Sequence, residues 1–167
     1  MRELIVIAHN IRSTHNVGSI FRTSEGFGVS KIILSGYTPY PKIPNDPRLP
    51  HISEKLTAQI HKTALDAETI VPFEYQEDID FDSLKQQGFQ VIGLEQDERS
   101  VMIQDFKPPE KIALLLGEEV EGIEQSLRDK CDSLIEIPMS GQKESFNVSV
   151  AAGIALYQLS IPGSSDR

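Results

Sequence analysis

The sequence contains one cysteine, no tryptophan and no long hydrophobic run. The single cysteine, Cys131, excludes an internal disulfide and a cysteine-based metal site. No apolar stretch approaches the ~18–20 residues that a membrane-spanning helix needs. The apolar run at residues 4–8 is too short for a secretory signal peptide. We therefore expect a cytoplasmic protein without membrane association, in which Cys131 is a small, half-buried hydrophobic residue.

Basic residues are also scarce: 16 Lys and Arg stand against 25 Asp and Glu, a net charge of −9. Taken alone, this balance argues against a nucleic-acid-binding protein, which usually carries a basic patch. The charge is unevenly spread, however. Residues 1–62 hold eight Lys or Arg and four Asp or Glu, a net of +4, whereas residues 63–167 hold eight and 21, a net of −13. Because RNA affinity depends on local phosphate contacts, the first segment can still bind RNA.

The length and the order of elements predict one α/β domain that spans residues 1–167, with residues 162–167 as a frayed tail. Short apolar runs alternate with helical patterns, which is typical of a mostly parallel sheet flanked by helices. Residues 36–50 hold five of the ten prolines, so we expect no regular structure there. Strands are predicted at 4–8, 31–35, 70–73, 90–94, 111–116 and 133–137, and helices at 17–27, 52–65, 81–87, 123–130 and 147–159.

Three loops follow predicted strands, at the edge of a parallel sheet where ligands bind. In the first, Asn16 is a suitable N-cap, Gly18 permits close approach of another backbone, and Arg22 follows in the helix. The second, residues 115–123, places acids between two glycines and lacks the Lys-Ser/Thr pair of a phosphate loop. From the residues alone, each of these two loops can be interpreted as the simple start of a helix or as a loop that binds a ligand.

The third loop runs from residue 137 into the last predicted helix, where Ser145 and Asn147 both suit a helix start. Small residues follow, so we expect another element to pack tightly against this helix. Other chemistries fit poorly. The sequence has no Gly-x-Ser-x-Gly nucleophile motif, no histidine or cysteine spacing typical of a metal site, and no histidine obviously paired with a carboxylate.

Together and in this order, the three segments resemble the signature motifs of the SPOUT superfamily. More narrowly, they resemble the TrmH (SpoU) family of RNA ribose 2′-O-methyltransferases. The resemblance is carried by N-V-G-S-I-F-R-T at residues 16–23, L-L-G-E-E-V-E-G-I at 115–123, and I-P-M at 137–139 with S-F-N-V-S-V-A-A at 145–152.

The resemblance implies an α/β knot fold, with a trefoil knot near the C-terminus, and a homodimer whose site is built across the interface. It also implies that S-adenosylmethionine is bound by the knot loops and leaves as S-adenosylhomocysteine. The positions that match the family's cofactor-binding residues are Leu116, Gly117, Glu118, Gly122, Ile137, Met139 and Asn147.

The implied reaction is methyl transfer to a ribose 2′-hydroxyl of tRNA or rRNA. By resemblance Arg22 is the leading catalytic residue, and Asn16, Ser145 and Asn147 position it and the substrate phosphate. A guanidinium stays charged in proteins, so we expect Arg22 to stabilise the developing alkoxide and hold the phosphate rather than remove a proton. Residues 1–62, which we call the basic segment, supply the candidate RNA contacts Arg12, His15, Arg22, Lys42 and Arg48.

Two other functions remain open at this point. One is a SPOUT enzyme that methylates a base, and the other is a homologue that binds RNA or S-adenosylmethionine without catalysis. The weak overall charge predicts modest, strongly salt-dependent RNA affinity, so an accessory protein is a further expected partner.

Overall fold

The structure is a computed structural model that describes residues 1–161, so the predicted frayed tail at 162–167 lies outside the described residues. Seven strands alternate with six helices in this part of the chain, with one short 3₁₀ turn at Ile103–Asp105. The strands are β1 (Glu3–His9), β2 (Lys31–Ser35), β3 (Phe73–Gln76), β4 (Gln90–Leu94), β5 (Val101–Met102), β6 (Lys111–Leu116) and β7 (Ser133–Glu136). The helices are α1 (Thr14–Gly26), α2 (Pro50–Ala64), α3 (Ala67–Ile70), α4 (Phe81–Gln86), α5 (Gln125–Arg128) and α6 (Val148–Ser160).

The strands form one sheet in the order β3-β2-β1-β6-β4-β7-β5, and every pairing is parallel. The predicted α/β fold with a parallel sheet is therefore confirmed. β1 and β6 lie side by side near the centre, and their apolar residues divide between two buried clusters, one on each face of the sheet. Burial on both faces explains why these strands read as continuous apolar runs.

One predicted strand, at residues 70–73, is wrong. Leu65 and Asp66 both take positive φ angles, 48° and 77°, and turn the chain directly from α2 into the short helix α3. The strand begins only at Phe73, after Pro72, which has no N–H to donate to a ladder. The predicted helix at 123–130 is shorter than expected, and β5 was not predicted, because two exposed residues carry no periodicity.

The helices α1, α2 and α6 pack on the same face of the sheet, and Gly18 sets the contact between α1 and α2. A Cβ on Gly18 would collide with the backbone carbonyl of Ile60 and the side chain of Thr63. The expectation that Gly18 permits close approach of a backbone is thus confirmed, and the backbone is that of α2. The small residues of α6 predicted that another element packs against this helix, and in the structure that element is α1.

Within residues 1–161, no helix combines the length and the apolar character needed to cross a membrane. The trefoil knot and the homodimer stay predictions at this stage.

Candidate functional site

A cavity of about 300 Å³ lies at the carboxyl edge of the sheet, where β4, β6 and β7 end and α6 begins. The second and third motifs meet there, and we call this space the motif cavity. Of the seven predicted cofactor-binding residues, six line it: Leu116, Gly117, Glu118, Gly122, Ile137 and Met139. Ser145, predicted to be catalytic, also lines it. Asn147 does not, although its neighbours Phe146 and Val148 do.

Two glycines allow the second motif to close into a tight turn. A Cβ on Gly117 would lie 2.6 Å from the backbone nitrogen of Ile123, so a side chain there would collide with the returning chain. Gly122 takes a φ of 70°, in the left-handed region that favours glycine. The Gly122 N–H donates to the Glu118 carbonyl at 2.9 Å and closes the turn. This part of the cavity wall is therefore backbone rather than side chain.

Glu95, at the end of β4, fixes the far side of this turn and was missed by the sequence reasoning. Its carboxylate accepts hydrogen bonds from the Ile123 N–H at 2.7 Å and from the Gln96 N–H at 2.9 Å. Glu95 also lines the motif cavity. The signal that could have found it is its position directly after an apolar strand, the same signal that singled out the other loops.

The lining of the motif cavity is acidic. No lysine or arginine of residues 1–161 lines it, whereas six glutamates do: Glu95, Glu118, Glu119, Glu121, Glu136 and Glu144. Carboxylates gathered around a partly enclosed space repel phosphate and attract positive charge. The cavity is therefore suited to a ligand that carries a cationic group.

The first motif reaches the other two through Asn16. The predicted N-cap role of Asn16 is wrong, because α1 begins earlier, with Ser13 as the cap that accepts a hydrogen bond from the Asn16 N–H at 3.2 Å. This leaves the Asn16 side chain free to bond elsewhere. Its amide donates to a Glu119 carboxylate oxygen at 3.2 Å and accepts from the Asn147 amide at 3.2 Å. One residue thus connects all three motifs.

Asn147 is the N-cap of α6, so one of the two helix starts predicted in the third loop is confirmed. Its side-chain oxygen accepts from the Ser149 N–H at 3.0 Å and the Val150 N–H at 3.4 Å. The amide nitrogen is left to donate to Asn16. Asn147 therefore fixes the start of α6 and the position of α1 at the same time.

Arg22 lies apart from the motif cavity. It is exposed on α1, and its guanidinium makes no hydrogen bond or ion pair with any residue of 1–161. Ser19 and Thr23, on either side of it along α1, line a groove of about 580 Å³ between α1 and α6, which we call the α1–α6 groove. The structure of one chain does not bring Arg22 and the motif cavity together.

The predicted RNA contacts divide into three kinds. Arg12 and His15 are exposed and line a separate hollow of about 800 Å³ beside the start of α1. Lys42 lies outside this hollow, with its Nζ 3.7 Å from a Glu54 carboxylate oxygen. Arg48 also lines the hollow, but its guanidinium is engaged within its own loop.

That engagement orders the proline-rich segment. Arg48 donates to both carboxylate oxygens of Asp46, at 2.9 and 2.6 Å, and to the Tyr40 carbonyl at 2.8 Å. These bonds from Arg48 lower the pKa of the Asp46 carboxyl far below its usual range. Arg48 therefore has few donors left for an RNA phosphate.

A histidine–carboxylate pair is present after all, at the turn between α2 and α3. His61 Nδ1 lies 2.6 Å from a Glu68 carboxylate oxygen and 3.6 Å from one of Asp66. The hydrogen bond with Glu68 raises the pKa of His61. The pair could not be predicted from the sequence, because it forms only through the left-handed turn at residues 65–66.

The fold and the motif cavity together define a class: a parallel α/β domain that offers an acidic ligand site in loops at the carboxyl edge of its sheet. The chain belongs to the SpoU rRNA Methylase family, whose model matches residues 3–157. The family resemblance carried by the three motifs is thereby confirmed.

Named relatives are similar to this chain over nearly its whole length. The 23S rRNA (guanosine-2′-O-)-methyltransferase RlmB of Coxiella burnetii is 30% identical over 158 residues, covering 93% of this chain and 57% of the relative. The crystal structure of the A. aeolicus TrmH/SpoU tRNA modifying enzyme is 26% identical, with a TM-score of 0.78 over 96% of this chain and 75% of that one.

An AdoMet-bound rRNA methyltransferase from Sinorhizobium meliloti shares the fold at 24% identity, with a TM-score of 0.78 over 94% of this chain and 55% of that one. The chain thus spans a little more than half the length of the curated relative from Coxiella burnetii.

Proposed function

We propose that this chain is an S-adenosylmethionine-dependent methyltransferase that modifies a ribose 2′-hydroxyl of tRNA or rRNA. One observation carries the proposal: the acidic motif cavity is tied through Asn16 to the basic segment of the chain. Family membership supports the reaction, and the relatives' names point to ribose rather than base methylation. A cytoplasmic location and an accessory protein for RNA recognition remain parts of the same proposal.

The donor set of the motif cavity fits the proposed cofactor. Six glutamates suit a sulfonium and an ammonium group, and the backbone wall at Gly117 and Gly122 leaves room for close contact. A volume of about 300 Å³ is at the lower end of the ~300–1,000 Å³ range of small-molecule sites. When bound, S-adenosylmethionine supplies an activated methyl group. Leu116, Ile137 and Met139 would hold it, and Ser145 lies at the same wall.

Arg22 supplies the positive charge that the motif cavity lacks. Its guanidinium is free within residues 1–161, so it can hold the RNA phosphate and stabilise negative charge on the attacking oxygen. Asn16 and Asn147 act as positioning residues, since their mutual hydrogen bond sets the start of α1 against the start of α6.

A homodimer would bring Arg22 and the motif cavity together. The α1–α6 groove carries exposed apolar side chains, with Val150 50% and Tyr157 59% exposed. A second copy seated on this groove would cover them and carry its own Arg22 toward the first copy's cavity. The trefoil knot near the C-terminus belongs to this proposal as well, because it would hold the loops of the second and third motifs together around the cavity.

Calorimetry with S-adenosylmethionine and a methyl-transfer assay with RNA test the proposal together. We expect the wild-type chain to bind the cofactor, and Met139→Arg to lose binding because it adds bulk and positive charge to the motif cavity. Arg22→Ala should keep cofactor affinity within about two-fold and lose methyl transfer by a factor on the order of 100 or more. Full activity of Arg22→Ala, or wild-type protein that ignores the cofactor, would overturn the proposal.

A further inference from the structure

A second hollow, of about 800 Å³, lies where the first loop meets the proline-rich segment. Its lining includes Arg12, His15, Tyr37, Tyr40, Arg48 and Tyr75, and we call it the tyrosine hollow. It shares no lining residue with the motif cavity. The tyrosines make it unlike the motif cavity in chemistry as well, since they offer flat aromatic surface rather than carboxylates.

The tyrosine hollow adjoins the motif cavity at the start of α1. His15 lines the tyrosine hollow, and the next residue, Asn16, donates a hydrogen bond at 3.2 Å to a carboxylate oxygen of Glu119, which lines the motif cavity. Arg12 lines the hollow beside His15, and the Tyr37 hydroxyl, followed by the nearby carboxylates of Glu118 and Glu119, raises the pKa of its guanidinium. A polynucleotide whose ribose is presented at the motif cavity would have its neighbouring nucleotide within reach of the tyrosine hollow.

The aromatic rings of the hollow differ in what they can still bind. Tyr40 is covered on both faces, by the Tyr75 ring at 4.2 Å and the Arg48 guanidinium at 3.5 Å, and is 8% exposed. Tyr37 is 50% exposed, and among residues 1–161 the one cationic or aromatic group beside its ring is the Arg12 guanidinium, at 5.5 Å. Tyr37 is thus the ring with surface free for a flat ligand.

The backbone around Tyr37 is held in place by hydrogen bonds on both sides. The Tyr37 N–H donates to the Asn10 side-chain oxygen at 3.1 Å, and the Tyr75 hydroxyl donates to the Gly36 carbonyl at 2.7 Å. Gly36 takes a φ of 63° and turns the chain so that Tyr37 points away from the core. An exposed aromatic ring on a fixed backbone loses little freedom on binding a partner.

We propose that Tyr37 stacks on an unpaired nucleobase next to the methylated ribose, while Arg12 binds the phosphate that links the two nucleotides. Aromatic rings and arginine planes recognise splayed-out bases in single-stranded RNA, and this stacking tolerates any base. The substrate is therefore RNA that is unpaired beside the target nucleotide. This inference rests on the proposed function, because it places the target ribose at the motif cavity.

A fluorescent oligonucleotide tests the stacking without requiring turnover. The probe is a short single-stranded oligoribonucleotide with one 2-aminopurine, whose fluorescence falls when the base stacks. We expect wild type and Tyr37→Phe to quench it, and Tyr37→Ala to bind on the order of ten-fold more weakly without quenching. Ile70→Ala, which removes an exposed apolar side chain elsewhere, serves as the control and should behave as wild type.

Kinetics with an RNA that the protein is able to methylate complete the test. Tyr37→Ala should raise KM for RNA by about ten-fold, leave kcat within about two-fold and leave the affinity for S-adenosylmethionine unchanged. Annealing a complementary strand across the target should mimic this loss in wild type. Equal quenching by wild type and Tyr37→Ala, or wild type that fails to bind or quench the probe, overturns the stacking. Quenching without cofactor binding or methyl transfer instead overturns the proposed function and leaves the stacking site standing.

Discussion

His61 lies beside two carboxylates, Glu68 and Asp66, at the turn between α2 and α3. The hydrogen bond with Glu68 raises the pKa of His61 above 6.5 in the folded protein. The charged histidine is favoured by folding, so its contribution to stability is complete below about pH 6.5 and is lost as pH rises through the raised pKa.

Urea unfolding between pH 6 and pH 9 measures this contribution. We expect the unfolding midpoint of wild type to fall across this window, and His61→Gln to remove that part of the fall because its side chain does not titrate. The same pH dependence in wild type and in His61→Gln would show that the His61–Glu68 pair does not stabilise the fold.

Individual site residues were only partly predictable from the sequence. The glycines of the second motif were visible as punctuation, and Asn147 as a cap. Asn16 was given the wrong local role, since Ser13 and Asn16 are both good caps and only the observed start of α1 decides between them. The position of Glu95 directly after an apolar strand was a usable signal, whereas its bond to Ile123 joins distant segments and the His61–Glu68 pair depends on the left-handed turn at residues 65–66.

At the scale of elements, the contact between α1 and α2 depends on Gly18. Gly18→Ala would push a Cβ against the Ile60 carbonyl and the Ala64 nitrogen, so the two helices must separate. We expect a loss of about 1–3 kcal/mol in the free energy of unfolding. Thermal and urea denaturation measure it.

Gly26→Ala is the matched control, because it lies in the same helix and its Cβ would meet nothing within 4 Å. It should leave stability unchanged or raise it by up to about 1 kcal/mol. If both variants lost stability equally, the loss would not come from the α1–α2 contact, because a Cβ on Gly26 touches no neighbouring atom.

The central elements were predictable because burial on both faces of the sheet imposes unbroken apolar runs on β1 and β6. The edges were not. β3 begins later than predicted, because the left-handed turn at residues 65–66 leads into α3 rather than into a strand. The helix α6 was recognised from its small residues and its cap, and the element that packs against it is α1.

At the scale of the whole molecule, the separation of Arg22 from the motif cavity makes a sharp prediction about the homodimer. Arg22→Ala has an intact cavity, and Met139→Arg has an intact arginine. If each arginine serves the partner's cavity, a mixed dimer contains one complete site. Mixing the two inactive variants under conditions of subunit exchange should therefore restore methyl transfer to about a quarter of the wild-type rate at most, since half the dimers are mixed.

Each variant alone supplies the baseline for this experiment, and size-exclusion chromatography with light scattering verifies the dimer. Mixtures that remain as inactive as their components, despite proven exchange, would place Arg22 in the same chain's site and reject the shared arrangement.

The overall charge of −9 conceals a separation of acidic and basic residues in the structure. The acidic part of the chain surrounds the motif cavity, and the basic segment surrounds the tyrosine hollow. The sequence could predict this division from the charge count and the motifs. It could not predict that Asn16 joins the start of α1 to the loops after β6 and β7, because this depends on contacts between distant segments of the chain.

The most direct test of the central claim is the chemical identity of the methylated product. The protein is incubated with methyl-labelled S-adenosylmethionine and RNA that lacks the modification, and the digested nucleosides are separated by mass spectrometry. We predict that the label appears on the ribose of a 2′-O-methylnucleoside and makes the adjacent phosphodiester resistant to alkali. Label on a base, or no transfer by protein that binds both cofactor and RNA, would contradict the account.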